Sequence, residues 1–122
     1  MKQLALALLL LSLLTVGAAC AVNQPQEPRI VGIWGSQEPG QPWLEFAKDG
    51  TLSGSDGCNR VMGQWSVARA ELSLGEIAST KMFCEGVDTW LNGIHSASIA
   101  RDTLKVRDVH GTEIGKLRRT DS

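Results

Sequence analysis

The sequence is poor in the residues that most often carry catalysis or hold metal ions. It has two histidines, three cysteines and no tyrosine among its 122 residues. Structural zinc sites need Cys or His ligands at short spacing, and neither His95 nor His110 stands at such a spacing from Cys58 or Cys84. The nucleophile motif G-x-S-x-G and the Asp-x-Asn spacing of calcium loops are also absent. We therefore predict that the protein is not an enzyme and uses no metal or cofactor.

The sequence also lacks an excess of basic residues. Its 12 Lys and Arg residues are balanced by 13 Asp and Glu residues, for a formal net charge of −1. Domains that bind nucleic acids are usually strongly basic, at least over one surface. We therefore predict no nucleic-acid partner. No repeat of fixed period is visible, and the length is that of one domain.

No apolar run is long enough for a comfortable membrane span, which needs about 20 residues. The longest run, Leu4–Val16, follows the basic Lys2 and is followed by the small residues Gly17, Ala18 and Ala19. This order of charged, apolar and small residues is typical of a secretory signal. We assign residues 1–19 to a signal peptide; a retained membrane anchor is the alternative.

Cys20 directly follows this segment and resembles the lipidated cysteine of bacterial lipoproteins, although Gly17 stands where Leu or Val is usual. Cleavage before Cys20 would expose it for lipidation. Cleavage after Ala21 would instead release a soluble periplasmic protein. Because Ala21 is not Asp, the lipoprotein rule predicts transport to the outer membrane, with the domain facing the periplasm.

Residues 20–29 are polar, contain Pro25 and Pro28 and show no periodicity, which predicts a flexible tether. The domain then covers residues 30–122. With Cys20 lipidated or removed, two cysteines remain in an oxidising compartment. They favour a disulfide between Cys58 and Cys84. A pair of metal ligands and a free catalytic thiol are the alternatives.

Hydrophobic alternation predicts eight strands. They are Ile30–Trp34, Trp43–Phe46, Thr51–Ser55, Gly63–Val67, Glu71–Leu74, Ser98–Ala100, Leu104–Val109 and Glu113–Arg118. The apolar residues Val87, Trp90, Leu91 and Ile94 follow a helical period and predict a helix over Glu85–Ser96. We expect an α+β fold: one small, mainly antiparallel, curved and barrel-like sheet of seven or eight strands, with the helix covering an open end.

Two segments together resemble the META domain family. The first is G-S-D-G-C-N-R-V-M-G-Q-W at residues 54–65, and the second is A-S-T-K-M-F-C at residues 78–84. The likeness extends over residues 33–117, with Trp65 in place of the usual Tyr and Phe83 where a small residue is common. The resemblance implies a barrel-like fold with one helix, an envelope location and a link to stress tolerance or envelope integrity. It implies no catalytic residues.

The glycine-rich loop provides the candidate site residues Gly57, Asn59 and Arg60, and the second motif adds Thr80. Asn59 can satisfy the backbone groups of the loop, and Arg60 can pair with a carboxylate. The alternative is that Asn59 and Arg60 bind a ligand. Asp49 and Asp56 lie next to glycines, where we expect their side chains to bond turn backbone.

Two surface features could be functional. Trp43 beside Pro42 could border a groove for a partner, although tryptophans most simply fill the core. Basic residues concentrate near the C-terminus and could form a stripe that contacts anionic lipids, or only a solvated sheet face. They are Arg101, Lys105, Arg107, Lys116, Arg118 and Arg119.

These observations predict a monomeric, non-enzymatic envelope lipoprotein. Its partners would be the membrane, through the N-terminal lipid, and an unidentified envelope protein. The alternatives are a periplasmic inhibitor that inserts the loop Gly35–Pro42 into a hydrolase, and a pilot lipoprotein for secretion or assembly.

Overall fold

The computed structural model describes residues 29–69 and 71–120. The predicted signal peptide, Cys20 and all of the tether except Arg29 lie outside these residues. The strands are β1 Gly32–Gly35, β2 Trp43–Phe46, β3 Thr51–Ser55, β4 Arg60–Ala68, β5 Glu71–Leu74, β6 Ala78–Ser79, β7 Ser96–Ala100, β8 Thr103–Arg107 and β9 Glu113–Arg118. No helix within the described residues has the length and apolar content needed to cross a membrane.

The strands form one antiparallel sheet in the order β1-β2-β3-β4-β5-β7-β8-β9. The short β6 pairs with the first part of β4, and β5 pairs with the last part of the same strand. The two ends of the sheet approach each other, since Trp34 forms a β-bridge with Arg119 and the Thr120 N–H donates to the Ile33 carbonyl at 3.0 Å. The sheet is therefore a nearly closed barrel, as the sequence predicts.

The barrel interior is filled by the apolar side chains that alternate along the strands. Trp34, Leu44, Phe46, Leu104 and Val106 are among those without solvent exposure. Burial of this kind stabilises the fold by roughly 1.5–3 kcal/mol for each large side chain.

Two tryptophan N–H groups inside or beside this core have backbone partners. The indole of Trp34 donates to the Ile30 carbonyl at 2.9 Å, and that of Trp65 donates to the Ala47 carbonyl at 2.9 Å. Trp65 also contacts the buried Phe46 edge to face, with ring centroids 5.9 Å apart. Both rings therefore enter the core without leaving a buried donor unpaired.

The predicted strand bounds are correct for β2, β3, β5 and β9, whereas β4 begins three residues earlier than predicted, at Arg60. The pattern break predicted near Asp108 is also observed, because β8 ends at Arg107 and the β8–β9 register shifts between Val106 and Arg107. Strand β6 was not predicted, because two residues cannot show a period. Residues Ala78 and Ser79 form a strand because they pair with β4.

The predicted helix over Glu85–Ser96, and with it the helix covering an open end, is wrong. The segment contains only a 3-10 turn at Trp90–Gly93. Gly86 has φ +76°, outside the helical region, and Ile94 is already extended with ψ 132°. Glycine, β-branched and Asx residues dominate the segment, and each disfavours an α-helix by up to about 1 kcal/mol relative to Ala. The fold is therefore almost entirely β.

The helix-like spacing of the apolar residues instead reflects the burial of the 3-10 turn and of Ile94, which follows it. Leu91 and Ile94 are buried, and the ring of Trp90 lies directly against the backbone of β9 at Gly115. A Cβ atom at Gly115 would stand 2.4 Å from that ring, so only glycine allows this contact. The turn thus packs on the barrel without being a helix.

Candidate functional site

The predicted loop residues meet the second motif at one corner of the barrel. The β3–β4 loop and the start of β4, residues 56–60, lie against residues 80–84, which follow β6; we call these two segments the disulfide corner. The Thr80 N–H donates to the Arg60 carbonyl at 3.1 Å, and the Arg60 N–H donates to Thr80 Oγ1 at 3.0 Å. These bonds prolong the β4–β6 pairing to the edge of the loop.

Cys58 and Cys84 are joined by a disulfide, with their Cα atoms 5.8 Å apart and a sequence separation of 26. The predicted pairing is confirmed, and the alternatives of a metal pair or a free thiol are wrong for this structure. The described residues contain no group of three or more His, Cys, Asp or Glu side chains that could hold a metal ion.

Asn59 holds the second segment from inside the corner. Its side chain is only 4% exposed. Its Oδ1 accepts from the Met82 N–H and, at 3.2 Å, from Thr80 Oγ1, while its Nδ2 donates to the Met82 carbonyl at 3.2 Å. The amide therefore bonds both backbone groups of Met82, as a neighbouring strand would. This favours the structural role of Asn59 over the ligand-binding alternative.

Asp56 is the only buried carboxylate in the part of the chain that the structure describes. Burial by itself would raise the pKa of Asp56. Hydrogen bonds outweigh it, because the backbone N–H groups of Asn59 and Cys58 and the side chain of Asn92 all donate to the carboxylate. The pKa of Asp56 is therefore lowered below its ordinary value of 3.8. The predicted turn role of Asp56 is observed, whereas Asn92, whose Nδ2 lies 2.9 Å from Oδ2, was missed.

Asn92 was missed because it lies on the segment interpreted as a helix, where its contact with a distant loop could not be inferred. Its amide also donates to Ser79 Oγ at 3.0 Å, so it joins the β3–β4 loop to β6. The only available signal was the residue type: an Asn in a turn often bonds backbone or loop groups.

Gly57 and Arg60 differ in what they do at the corner. Gly57 has φ +99°, and a Cβ atom there would lie 2.7 Å from the carbonyl oxygen of Gly40, so glycine is required for both conformation and space. The Arg60 side chain is exposed, and no carboxylate among the described residues lies within ion-pair distance of it. The expected Arg60–carboxylate pair is therefore not formed.

An open groove of 780 Å³ runs beside the disulfide corner, between the β5–β6 segment and the chain that enters β7. Its apolar lining comes from Leu74, Ile77, Ile94 and Val109. A smaller groove of 330 Å³ lies on the other side of β6, where Arg60 and Met62 line it. Ser79 borders both grooves, so β6 is the ridge that separates them.

The corner exposes large apolar side chains that sequence reasoning did not assign to a site. Phe83 is 91% exposed and Met82 is 63% exposed. Met82 makes the hydrogen bonds to Asn59, and Phe83 lies between Met82 and the disulfide-bonded Cys84. Trp43, the predicted groove residue, is half-buried on β2 and lines neither groove described above. Among the residues that the structure describes, the exposed aromatic side chain is therefore Phe83 rather than Trp43.

Acid is expected to weaken the fold through Asp56. Because the pKa of Asp56 is lower in the folded protein than its ordinary 3.8, the folded state binds fewer protons than the unfolded chain near that pH. Its contribution to stability is complete above about pH 4 and is lost as pH falls through the lowered pKa. Urea denaturation at a series of pH values should show the free energy of unfolding falling in this range.

The Asp56→Asn variant should lose a large part of this slope and be less stable at neutral pH, since its amide places N–H groups against N–H donors. Asp49→Asn is the control. The Thr51 hydroxyl and then the Thr51 N–H lower the pKa of Asp49, but that carboxylate is exposed in a turn, so its share of the slope should be smaller. If the free energy of unfolding of Asp56→Asn falls with pH as steeply as that of the wild type, Asp56 is not the source of the acid sensitivity.

Comparison with known proteins places this geometry in a family. The family model of the META domain matches residues 26–120, which includes both halves of the disulfide corner and all nine strands. Neither the search of curated proteins nor the search of solved structures found a match.

Proposed function

The chain belongs to the META domain family, and from that premise we propose that it is a non-enzymatic lipoprotein of the cell envelope that binds a partner protein through the disulfide corner. Family membership suggests an envelope-associated protein. The signal-like residues 1–19 and the position of Cys20 support attachment by an N-terminal lipid. The proposed location is the outer membrane, with the domain in the periplasm.

The observation that carries the proposal is the rigid presentation of Phe83. Its side chain is 91% exposed, yet the backbone before it is bonded to Asn59 through Met82, and the backbone after it is fixed by the disulfide at Cys84. An aromatic side chain left in water costs free energy that burial in a partner's pocket recovers. Because the loop is already ordered, little conformational entropy is lost on binding.

The polar groups of the corner support binding rather than catalysis. The amide of Asn59 and the carboxylate of Asp56 are engaged by the chain itself. Among the described residues, no buried side-chain nitrogen or oxygen lacks a hydrogen-bond partner. A catalytic acid, base or nucleophile needs a group that can reach substrate, and these groups would have to leave their structural partners first.

The partner is expected to be an envelope protein with an apolar pocket for Phe83 and room for the neighbouring Met82 and Lys81. Aromatic residues and methionine are enriched at the centres of protein interfaces, whereas lysine is tolerated at the rim. A monomeric lipoprotein of this kind would support envelope integrity under stress by holding its partner near the membrane.

Crosslinking in the intact envelope tests the proposal. The wild-type protein should form a defined crosslinked product with one envelope protein, and Phe83→Ser should reduce that product by about tenfold or more, the usual loss for an interface hot spot. Val67→Ser is the matched control, because Val67 is an exposed valine on β4 outside the corner. Equal amounts of crosslinked product from the wild type and Phe83→Ser would show that the disulfide corner is not the binding surface.

The anchor is tested separately with Cys20→Ala, which should move the protein from the membrane fraction to the soluble periplasm once the membranes are washed with high salt to remove electrostatic binding. Unchanged membrane association would contradict lipidation at Cys20. A panel of hydrolase substrates tests the absence of catalysis; turnover abolished by a single Ser, His or Asp replacement would show an enzyme.

The inhibitor alternative has one supporting observation. Residues 37–41 are exposed in a loop whose ends are joined by the Ser36 N–H and the Pro42 carbonyl at 3.2 Å. Co-purification with a hydrolase, lost when Gly35–Pro42 is shortened, would favour it. A secretion or assembly component as the crosslinked protein would instead favour the pilot alternative.

A further inference from the structure

The outer face of β8 and β9 carries facing positive charges. Strand pairing places Lys105 directly opposite Lys116, and Thr103 opposite Arg118. Arg101 stands in the turn that precedes β8. Side chains directly opposite in an antiparallel pair are close, and like charges there destabilise a sheet. The predicted basic stripe therefore exists, and it works against folding.

Acidic neighbours neutralise only part of this face. Glu71 pairs with Arg107 at 3.2 Å, and Glu113 reaches Lys116 at 4.0 Å. Lys105, Arg118 and Arg101 have no carboxylate within 4.0 Å among the residues that the structure describes. We define the basic face as Arg101, Lys105, Lys116 and Arg118. Its charge is complementary to an anionic surface.

The described chain begins beside this face. Arg119, the residue after Arg118, donates to the carbonyls of Arg29 and Val31, the latter at 2.8 Å, and its guanidinium lies 5.2 Å from the ring centre of Trp34. The start of the domain is thus held against the end of β9. From Cys20 to Arg29 the chain has nine residue steps, which can span at most about 30 Å.

We propose that the basic face docks on the anionic headgroups of the membrane that carries the N-terminal lipid. The lipid anchor belongs to the function proposed above; the charge of the face does not depend on it. A tether of at most about 30 Å keeps the domain within roughly its own diameter of the bilayer. Juxtamembrane basic residues each strengthen attraction to an anionic leaflet measurably, and the effect is additive to lipid anchoring.

Docking in this orientation leaves the disulfide corner free for the partner. In the ring of eight paired strands, β8 and β9 lie opposite β3 and β4, whose connecting loop carries Cys58. The basic face would therefore turn towards lipid while the disulfide corner lies on the opposite side of the barrel. The basic face would orient the domain on the membrane, and the disulfide corner would bind the partner protein.

The test uses the mature chain, residues 20–122, with Cys20→Ala, so that neither the signal peptide nor an attached lipid can contribute, and measures sedimentation with vesicles. Vesicles that mix phosphatidylglycerol with phosphatidylcholine should bind the protein, whereas phosphatidylcholine alone should not, and added salt should weaken binding. Lys105→Gln with Lys116→Gln should lower the partition coefficient about 25-fold, at about fivefold for each basic residue.

The control pair is Lys48→Gln with Arg69→Gln, which makes the same charge change at two exposed basic residues outside both the basic face and the disulfide corner. It should change the partition coefficient less than about twofold. Removing the facing lysines should also raise the midpoint of thermal unfolding, so lost binding cannot be attributed to lost folding.

Three results would overturn the proposal: no binding to the anionic vesicles, equal binding to both kinds of vesicle, or equal loss in the two variant pairs. If the basic face instead binds an acidic protein, the chain should not bind the anionic vesicles. Release of Cys20→Ala protein from membranes in cells tests the anchor and leaves the vesicle result unaffected.

Discussion

Replacing Cys58 and Cys84 together by serine is expected to lower the free energy of unfolding by about 3–4 kcal/mol. The bridge closes a segment of 26 residues, and the chain-entropy model assigns a loop of this length a stabilisation of roughly that size. For a small domain with a total stability of about 5–15 kcal/mol, this is a large share. Urea denaturation of the oxidised wild type and the double variant, both carrying Cys20→Ala, measures the difference.

The same variant separates stability from binding. The Asn59 hydrogen bonds to Met82 remain possible without the bridge, but nothing then fixes the backbone after Phe83. We expect the folded double variant to form less of the Phe83-dependent crosslink, because the loop must now be ordered on binding. A loss of stability below about 1 kcal/mol would mean that Asn59, rather than the disulfide, determines the corner.

The strands and the disulfide could be predicted because they depend on local patterns and on the number of cysteines. Glu71–Leu74 alternates clearly, and its predicted bounds are those observed. The segment after Cys84 could not be predicted in the same way. Its apolar spacing fits a helix, but the backbone is fixed at one end by Cys84 and the chain leaves for β7 after Ile94. Tertiary constraints therefore override a pattern that only reports which side chains are buried.

The candidate site was predicted in part for a similar reason. Asn59 and Cys58 are visible in the sequence because a glycine-rich loop needs internal partners. The exposure of Phe83 is not visible, since an apolar residue beside a cysteine usually predicts burial. The structure shows it: Phe83 is 91% exposed, directly after the Met82 backbone that the Asn59 amide bonds. The proposed binding surface therefore lies next to a buried polar contact.

Asn59→Asp is expected to destabilise the protein severely at neutral pH, by about 3–5 kcal/mol, the usual cost of an uncompensated buried charge. The change keeps the shape of the side chain but removes the Nδ2 donor that bonds the Met82 carbonyl at 3.2 Å. It also places a second carboxylate where Nδ2 now stands 3.4 Å from the Asp56 carboxylate. Two adjacent buried carboxylates cannot both ionise without a large cost, so one pKa of the pair rises.

The pH dependence identifies this mechanism. A carboxyl group whose pKa is raised on folding makes the folded state bind more protons, so its penalty shrinks as pH falls through the raised pKa. The Asn59→Asp variant should therefore regain stability between neutral pH and about pH 5, where the wild type does not change. Asn59→Ala, which removes the amide without adding charge, should lose about 1–3 kcal/mol and show no such recovery.

Asn92→Asp is the matched control for the charge. Asn92 also donates to the Asp56 carboxylate, at 2.9 Å, but its side chain is exposed, so solvent screens the repulsion and the loss should be smaller. Urea denaturation of the three variants at neutral pH and at about pH 5 makes the comparison. Equal stability of Asn59→Asp and Asn59→Ala at both pH values would show that the Asn59 site is open to water. The disulfide corner would then be available to a polar ligand, and the alternative that Asn59 binds a ligand would be favoured.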